Sequence, residues 1–215
     1  MNRVFFRSIC IVAAVLFYFT AWAQKNYETP DYRRKTESFV RLQPKAVRMD
    51  VATFALGGIS ESVGLEPIRK IPYTSFSSDS MLFEGEGIRA LIKLAPFDKT
   101  GRRLDYDEKF LTRIDRRPYY GNYGKEPQTI ISDVVLTIYG DTIAIPKTAY
   151  SDLFNTNLTY IDKGVQRTTN AIYQSKDGKY LYLYLFSRDK TGSYEVTWIF
   201  QDRKYLRRVL DYDIM

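Results

Sequence analysis

The chain has 215 residues, a formal net charge of +7 and no histidine, and its single cysteine, Cys10, lies near the N-terminus. The absence of histidine excludes Ser-His-Asp and Cys-His nucleophile systems and zinc sites built on imidazole. Acid–base chemistry would therefore fall to Asp, Glu, Tyr or Lys, and a metal ion would be a hard cation held by oxygen ligands.

The first 23 residues have the pattern of an export signal. Arg3 and Arg7 form a short basic segment, and an apolar run follows it. Ala21 and Ala23 are the small residues that signal peptidase requires before its cut, and the run is short for a membrane span, which needs about 20 apolar residues. The sequence predicts a cleaved signal peptide at 1–23 and an exported protein, periplasmic or extracellular, with no transmembrane span in the mature chain.

Cleavage would remove Cys10 together with Arg3 and Arg7, which leaves a mature chain, 24–215, without cysteine and with a net charge of +5. Cys10 precedes the apolar run, whereas a lipidated cysteine would follow it, so lipidation is not expected. A chain of this length can hold itself together through one core without disulfides. Its basic residues are interspersed with acidic ones, which argues against nucleic acid as a partner and favours anionic envelope surfaces or polysaccharides.

We expect residues 24–45 to form an extended polar lead-in, because the segment is charged and contains Pro30 and Pro44. A single β-rich domain is expected over residues 46–215. Its first element is predicted to be a strand, since apolar and charged residues alternate over 47–51.

The middle of the chain predicts strands separated by loops. Residues 57–80 are rich in Gly, Pro and Ser and predict a loop, whereas 81–95 predict one strand, or two strands around the glycines of that segment. Acidic residues open the segment 105–114 and favour the first turn of a helix, so a short helix is expected there. Residues 116–128 contain Pro, Gly and Tyr and predict a long loop.

The second half has clearer turn signals. Two β-rich runs flank Gly140-Asp141, and Asp177-Gly178 opens a further series of strands, so hairpins and a meander are predicted. Over 179–187 aromatic residues alternate strictly with leucines, which places them on opposite faces of one strand. The sequence therefore predicts a mainly β fold: an antiparallel β-sandwich or an open barrel with one or two short helices.

The aromatic face of the 180–186 strand is the first candidate binding surface. Its central residue is Tyr182, and Trp198 is expected nearby on the next strand, because antiparallel neighbours place such rings about 5 Å apart. Rings of this kind can stack on sugars or peptides. They also commonly form one wall of a core in β-proteins, and this alternative stays open.

The loop 115–124 is the second candidate binding surface. Arg and Tyr together are typical of binding hot spots, and exposed loops often carry function. A surface loop fixed by Pro and Gly is the alternative. The candidate ligand-binding residues of this loop are Arg116, Arg117, Tyr119, Tyr120 and Tyr123.

Two groups of acidic residues are weaker candidates for catalysis or for metal binding. Glu84 and Glu86 would point the same way on one strand, about 6.7 Å apart, which approaches the carboxylate separation of an inverting glycosidase. The acidic segment 105–108 would need Gly at the sixth position of a calcium loop, and Phe110 stands there. Neither a metal ion nor another cofactor is expected.

These patterns favour an exported binding or interaction module of the cell envelope, whose partner is a polysaccharide or another envelope protein. Enzymatic activity is less favoured, since no catalytic signature is present. One alternative is a carboxylate-dependent glycoside hydrolase that uses Glu84 and Glu86. Another is a structural or assembly module that pairs through an edge strand.

Overall fold

In the computed structural model, which describes residues 31–33, 35–188 and 192–214, two five-stranded antiparallel sheets pack face to face. The mainly β fold predicted from the strand and turn pattern is confirmed, as a sandwich rather than an open barrel. The predicted signal peptide, residues 1–23, lies outside the described residues. The compact unit begins at Asp31.

The strands alternate with short turns, and helical structure is confined to brief segments. The α-helix α1 spans Lys45–Ala52, and 3-10 helices span Phe39–Arg41, Leu56–Glu61 and Lys147–Ala149. The strands are, in chain order, β1 (Arg69–Ile71), β2 (Tyr73–Phe76), β3 (Ser80–Gly85), β4 (Ile88–Pro96), β5 (Leu104–Asp107), β6 (Phe110–Ile114), β7 (Thr129–Ile138), β8 (Asp141–Ile143), β9 (Tyr160–Asp162), β10 (Val165–Arg167), β11 (Ala171–Gln174), β12 (Tyr180–Arg188), β13 (Ser193–Gln201) and β14 (Lys204–Tyr212).

Sheet A has the strand order β1-β11-β12-β13-β14, and sheet B has the order β2-β3-β4-β7-β8. The predicted meander is confirmed, because β11 to β14 pair with their sequence neighbours. The segment 81–95 forms two strands, β3 and β4, which pair around a two-residue turn at Glu86-Gly87. Two small hairpins, β5-β6 and β9-β10, stand outside the two sheets.

The main core lies between the sheets and is built from the leucine face of β12. Because side chains alternate along a strand, one face of β12 and β13 can be wholly apolar. Each fully buried side chain of this size contributes about 1.5–3 kcal/mol. Facing side chains in this core are Leu181, Leu183, Leu185, Val196, Trp198 and Phe200 from sheet A, and Phe83, Ala90, Ile92 and Leu136 from sheet B.

The opposite face of sheet A is also covered. Tyr182 and Tyr184 pack there against α1 and the segment before it, in a second cluster of buried residues. Phe39 and Leu42 belong to this cluster, with exposed fractions of 1% and 0%. The polar segment expected to be an extended lead-in up to residue 45 therefore includes a folded part that covers the tyrosine face.

The strand predicted over 47–51 is wrong, since these residues lie in α1. Val47 and Val51 are four residues apart, so a helix places both on one face, where they are buried. Gly58 allows the following 3-10 helix to approach α1 closely, because a Cβ there would lie 2.6 Å from the Ala52 Cα atom.

The helix predicted over 105–114 is also wrong, since this segment forms the β5-β6 hairpin. The acidic residues that favour a helix start lie in β5 and its turn. Leu111 and Ile114 pack against Tyr119 and Phe154 in a third apolar cluster, and this nonlocal packing outweighs the local helix signal.

Every helix in the part of the chain that the structure describes is too short or too polar to cross a bilayer.

Candidate functional site

The predicted binding loop begins with a tight turn on the protein surface. Asp115 and Arg116 adopt φ angles of 51° and 65°, and Ile114 and Arg117 exchange two backbone hydrogen bonds of 3.0 Å across the turn. Asp115, Arg116 and Arg117 are exposed. The two predicted arginines are therefore adjacent, accessible and held by a closed turn.

The tyrosines of the same loop are not surface rings. Tyr119 is fully buried; its hydroxyl oxygen accepts a 2.9 Å hydrogen bond from the Gly124 N–H and lies 3.1 Å from the carbonyl oxygen of Leu111. Burial raises the pKa of Tyr119 and raises that of Tyr120 to about 12. Tyr119 anchors the loop, which corrects the prediction that its ring is presented to a ligand.

Tyr123 contacts the N-terminal segment of the described chain. The Arg33 guanidinium lies 4.0 Å from the centre of the Tyr123 ring and 4.1 Å from that of Tyr212. Arg33 also forms ion pairs with Asp31 and Asp213, at 2.9 and 3.0 Å. The ring of Tyr123 therefore holds a segment of its own chain.

Tyr182 and Trp198, the predicted aromatic pair, are buried on opposite faces of sheet A. The register pairs Tyr182 with Ile199 and Trp198 with Leu183, and cross-strand partners share a face. The Tyr182 hydroxyl donates a 2.7 Å hydrogen bond to Asp50, and the Trp198 indole donates one of 2.9 Å to the Ala149 carbonyl. The prediction that their rings form one binding surface is therefore wrong.

Glu84 and Glu86 lie at the β3-β4 hairpin, not in a common cleft. Glu84 is exposed on β3 opposite Arg89, whereas Glu86 occupies the turn with a φ of 55° and is ion-paired with Arg69. Because Glu86 is outside the strand, the i, i+2 argument for a fixed carboxylate separation does not apply.

A groove that the sequence did not predict opens beside the tyrosine face, next to the C-terminal end of α1. We call it the aromatic groove. Its volume is about 630 Å³, within the range of about 300–1,000 Å³ for small-ligand sites. It is lined by Thr53, Phe54, Leu56, Lys70, Asn157, Leu158, Thr159, Tyr160, Thr168, Thr169, Tyr173, Tyr184, Phe186 and Arg188.

The rings of this groove support one another. Phe54 stacks on Tyr173 with ring centres 4.1 Å apart and an interplanar angle of 5°. Its ring centre lies 5.5 Å from that of Tyr184, with the two rings in an edge-to-face arrangement. Phe186 is half-buried, and Tyr160 at the base of the β9-β10 hairpin is 48% exposed. Aromatic surface is therefore held in place and remains accessible.

Threonine, asparagine and basic side chains supply the polar part of the lining. Lys70 Nζ lies 6.0 Å from the centre of the Tyr173 ring, and Asn157 donates a 2.9 Å hydrogen bond to the Arg188 carbonyl. Among the described residues that line the groove, none is a carboxylate. The lining can stack and hydrogen-bond, but it carries no acidic group for general acid–base work.

A buried carboxylate supports the wall of the groove. Glu195 is 3% exposed and accepts hydrogen bonds from the Leu56 and Gly57 N–H groups, at 2.8 and 2.6 Å. Burial raises its pKa, and these hydrogen bonds oppose that rise. Glu195 thus fixes the backbone that leads from α1 into the groove.

The strand alternation contained part of the signal for this groove. It correctly places Tyr184 and Phe186 on one face of β12, but it does not reveal which end of that face α1 leaves open. Phe54 and Tyr160 lie in segments without a recognisable pattern, and only the tertiary fold brings them to the groove.

Neither a metal-binding cluster nor a known relative gives a further indication of the protein's function. Within the described ranges, no cluster of three or more Cys, Asp or Glu side chains could hold a metal ion. No protein-family model matches the chain, and no similar curated protein or solved structure was found. Inference about function therefore depends on the geometry of the molecule.

Proposed function

We propose that the protein is an exported binding module of the cell envelope that holds a polysaccharide in the aromatic groove. The observation that carries the proposal is the groove itself, about 630 Å³ in volume, with supported rings and a polar rim. The envelope location rests on the export signal predicted over residues 1–23.

A sugar chain fits the chemistry of this lining. The C–H face of a pyranose ring stacks on flat aromatic surfaces such as the accessible parts of Phe186 and Tyr160. Sugar hydroxyls find partners in the threonines, Asn157 and Lys70 of the rim. Because no carboxylate lines the groove in the described part of the chain, we expect binding without hydrolysis.

The assembly alternative has less support, because three of the four outer strands of the two sheets are short. The outer strands β1, β2 and β8 have only three or four residues. The fourth outer strand, β14, is long, and Glu37 packs beside it: the carbonyl oxygen of Glu37 accepts a 3.0 Å hydrogen bond from the Leu210 N–H. Short edge strands are one of the usual protections against strand pairing.

A polysaccharide panel tests the proposal. Purified protein would be run by affinity electrophoresis through gels containing soluble glucans, mannans, xylans or polygalacturonate, and reducing ends would be measured in parallel. We expect retardation by at least one polymer, no release of reducing ends, and loss of retardation in Phe186→Ala.

The other outcomes identify the rivals. Release of reducing ends that depends on Glu84 would support the hydrolase and contradict the proposal. Retardation that is unchanged in Phe186→Ala would place the ligand outside the aromatic groove. Retardation by none of the polymers would also contradict the proposal, and capture of an envelope protein would then favour a protein partner.

A further inference from the structure

A second groove lies beside the turn that carries Arg116 and Arg117. We call it the arginine groove. Its volume is about 760 Å³, and it shares no lining residue with the aromatic groove. It is lined by Asp31, Tyr32, Arg33, Thr36, Glu37, Arg113, Arg116, Arg117, Pro118, Tyr120, Asp152 and Arg208.

The carboxylates of this lining are already engaged by two of its arginines. Arg208 is held by Asp152 through two hydrogen bonds of 2.6 and 2.7 Å, and by Glu37 through one of 2.7 Å. Asp31 lies 2.9 Å from Arg33. These ion pairs neutralise Arg208 and Arg33 locally.

Three further arginines on the same wall have no such partner. Arg113, Arg116 and Arg117 are exposed, and within the described ranges none of them forms an ion pair. The Arg113 guanidinium lies 5.2 Å from the centre of the Tyr32 ring. With five arginines and three carboxylates in the lining, the groove carries an excess of positive charge at this wall.

A smaller cavity of about 230 Å³ adjoins the arginine groove, and Arg117, Pro118 and Asp152 line both. Arg102 lies in its wall. The Nε atom of Arg102 is buried, and in the described part of the chain it has no hydrogen-bond partner. Asp115 Oδ2 lies 3.0 Å from this atom and forms an ion pair with Arg102, so the charge of Arg102 is already balanced.

We propose that Arg113, Arg116 and Arg117 form a binding site for an oxyanion group, a carboxylate, sulfate or phosphate. The guanidinium group suits this chemistry, because its parallel N–H groups match two oxygens of an oxyanion. The closed turn at Asp115-Arg116 keeps two of the guanidinium groups on one short segment. The site does not depend on the ligand of the aromatic groove.

A pair of polymers with the same backbone tests the proposal. Purified protein would be titrated calorimetrically with dextran sulfate and with neutral dextran at constant ionic strength. The double variant Arg116→Gln/Arg117→Gln is expected to weaken binding of dextran sulfate by about tenfold or more. Both positions are exposed, and a thermal scan would check that the variant folds.

The matched control removes the same charge elsewhere. Lys147→Gln/Lys176→Gln changes two exposed basic residues outside the groove, and its affinity is expected to stay within about twofold of the original. Equal weakening in both double variants would show a diffuse effect of net charge and overturn the proposal. Failure of dextran sulfate to bind would overturn it as well.

Sodium sulfate distinguishes a free anion from one carried on a polymer. Competition by free sulfate at low concentration would support a site for the ion itself, whereas binding of the polymer without such competition would support recognition of the group on a chain. Binding of a neutral polysaccharide in the aromatic groove is expected to be unchanged in Arg116→Gln/Arg117→Gln. Failure of this site is therefore distinguishable from failure of the proposed function.

Discussion

The hydroxyl of Tyr184 donates a 2.7 Å hydrogen bond to the buried carboxylate of Glu195 on the neighbouring strand. Tyr184 lines the aromatic groove, and Glu195 also accepts the Leu56 and Gly57 N–H groups. One carboxylate thus joins the tyrosine face of sheet A to the backbone beyond α1. The groove is built on a buried polar network as well as on apolar packing.

Tyr184→Phe is expected to lower the free energy of unfolding by about 1.5 kcal/mol or more, because it removes one hydrogen bond to a buried carboxylate. Tyr173→Phe is the matched control, since among the described residues its hydroxyl has no hydrogen-bond partner and the change should cost less than about 0.5 kcal/mol. Urea denaturation of both variants measures the difference. Equal losses would contradict a special role for the Tyr184–Glu195 contact.

The raised pKa of Glu195 also leads us to expect that the free energy of unfolding depends on pH. Burial raises its folded pKa above the ordinary value of 4.5, so the folded state binds a proton more tightly than the unfolded state does. The stability contributed by this group is fully present below pH 4.5 and is lost as the pH rises through the raised pKa.

Glu195→Gln removes this titration. The free energy of unfolding of the original protein, relative to that of the variant, should fall as the pH rises above 4.5. Because the amide keeps fewer of the backbone contacts, the variant is expected to be less stable overall, and only the slope is diagnostic. Two parallel curves from urea denaturation across this range would contradict the prediction.

Sequence patterns predicted strands β11 to β14 of sheet A, but not β1, which lies in the segment 57–80 predicted to be a loop. They also did not predict which residues each face of the sheet packs against. Strict alternation in β12 separates leucines from tyrosines, and local turn signals predict its pairing with β11. The positions of Tyr182 and Trp198 depend on the register between β12 and β13, and the alternation within each strand does not specify that register. The sequence therefore could not place the two rings on opposite faces.

The helix α1 was missed for a related reason. Val47, Met49 and Val51 alternate as in a strand, whereas only Val47 and Val51, four residues apart, share one face of a helix. Packing of the two valines onto the tyrosine face, from residues far along the chain, selects the helix. Phe54 is brought to the groove by the same packing, so the site could not be derived from local patterns alone.

Arg208→Ala is expected to lower the free energy of unfolding by about 3 kcal/mol or more, because it leaves Asp152 and Glu37 without their buried partner. Arg207→Ala provides the control on the same strand. Arg207 is half-buried and, in the described part of the chain, forms no ion pair, so its loss should cost less than about 1 kcal/mol.

Chemical denaturation at low and high salt would test this difference. The effect of Arg208→Ala should persist at high salt, because buried pairs are screened much less than exposed ones. A loss that disappears at high salt, or that Arg207→Ala reproduces, would show that Arg208 does not act through a buried network.

Gly58→Ala tests the close packing of α1 against the following 3-10 helix. The added Cβ would lie 2.6 Å from the Ala52 Cα atom and 2.9 Å from the Phe39 ring, so we expect a loss of about 2 kcal/mol or more. Gly101→Ala is the comparison, since its Cβ meets nothing within 4 Å and only its φ of 73° opposes the change.

Thermal and urea denaturation of the two glycine variants would show which of them loses more stability. Gly101→Ala should cost about 1 kcal/mol from backbone strain alone. If Gly58→Ala proves no more costly than Gly101→Ala, Phe39 does not pack closely against the 3-10 helix in solution.

The affinity of Tyr160→Ala for an oligosaccharide of the polymer that binds best in the panel tests the central claim most directly. Tyr106→Ala is its matched control, because Tyr106 is also 48% exposed and lies on β5, outside the aromatic groove. Calorimetry should show the dissociation constant rising about tenfold in Tyr160→Ala, as expected for loss of a stacking ring, and staying within about twofold in Tyr106→Ala. An unchanged dissociation constant in Tyr160→Ala, or an equal rise in both variants, would contradict binding in this groove.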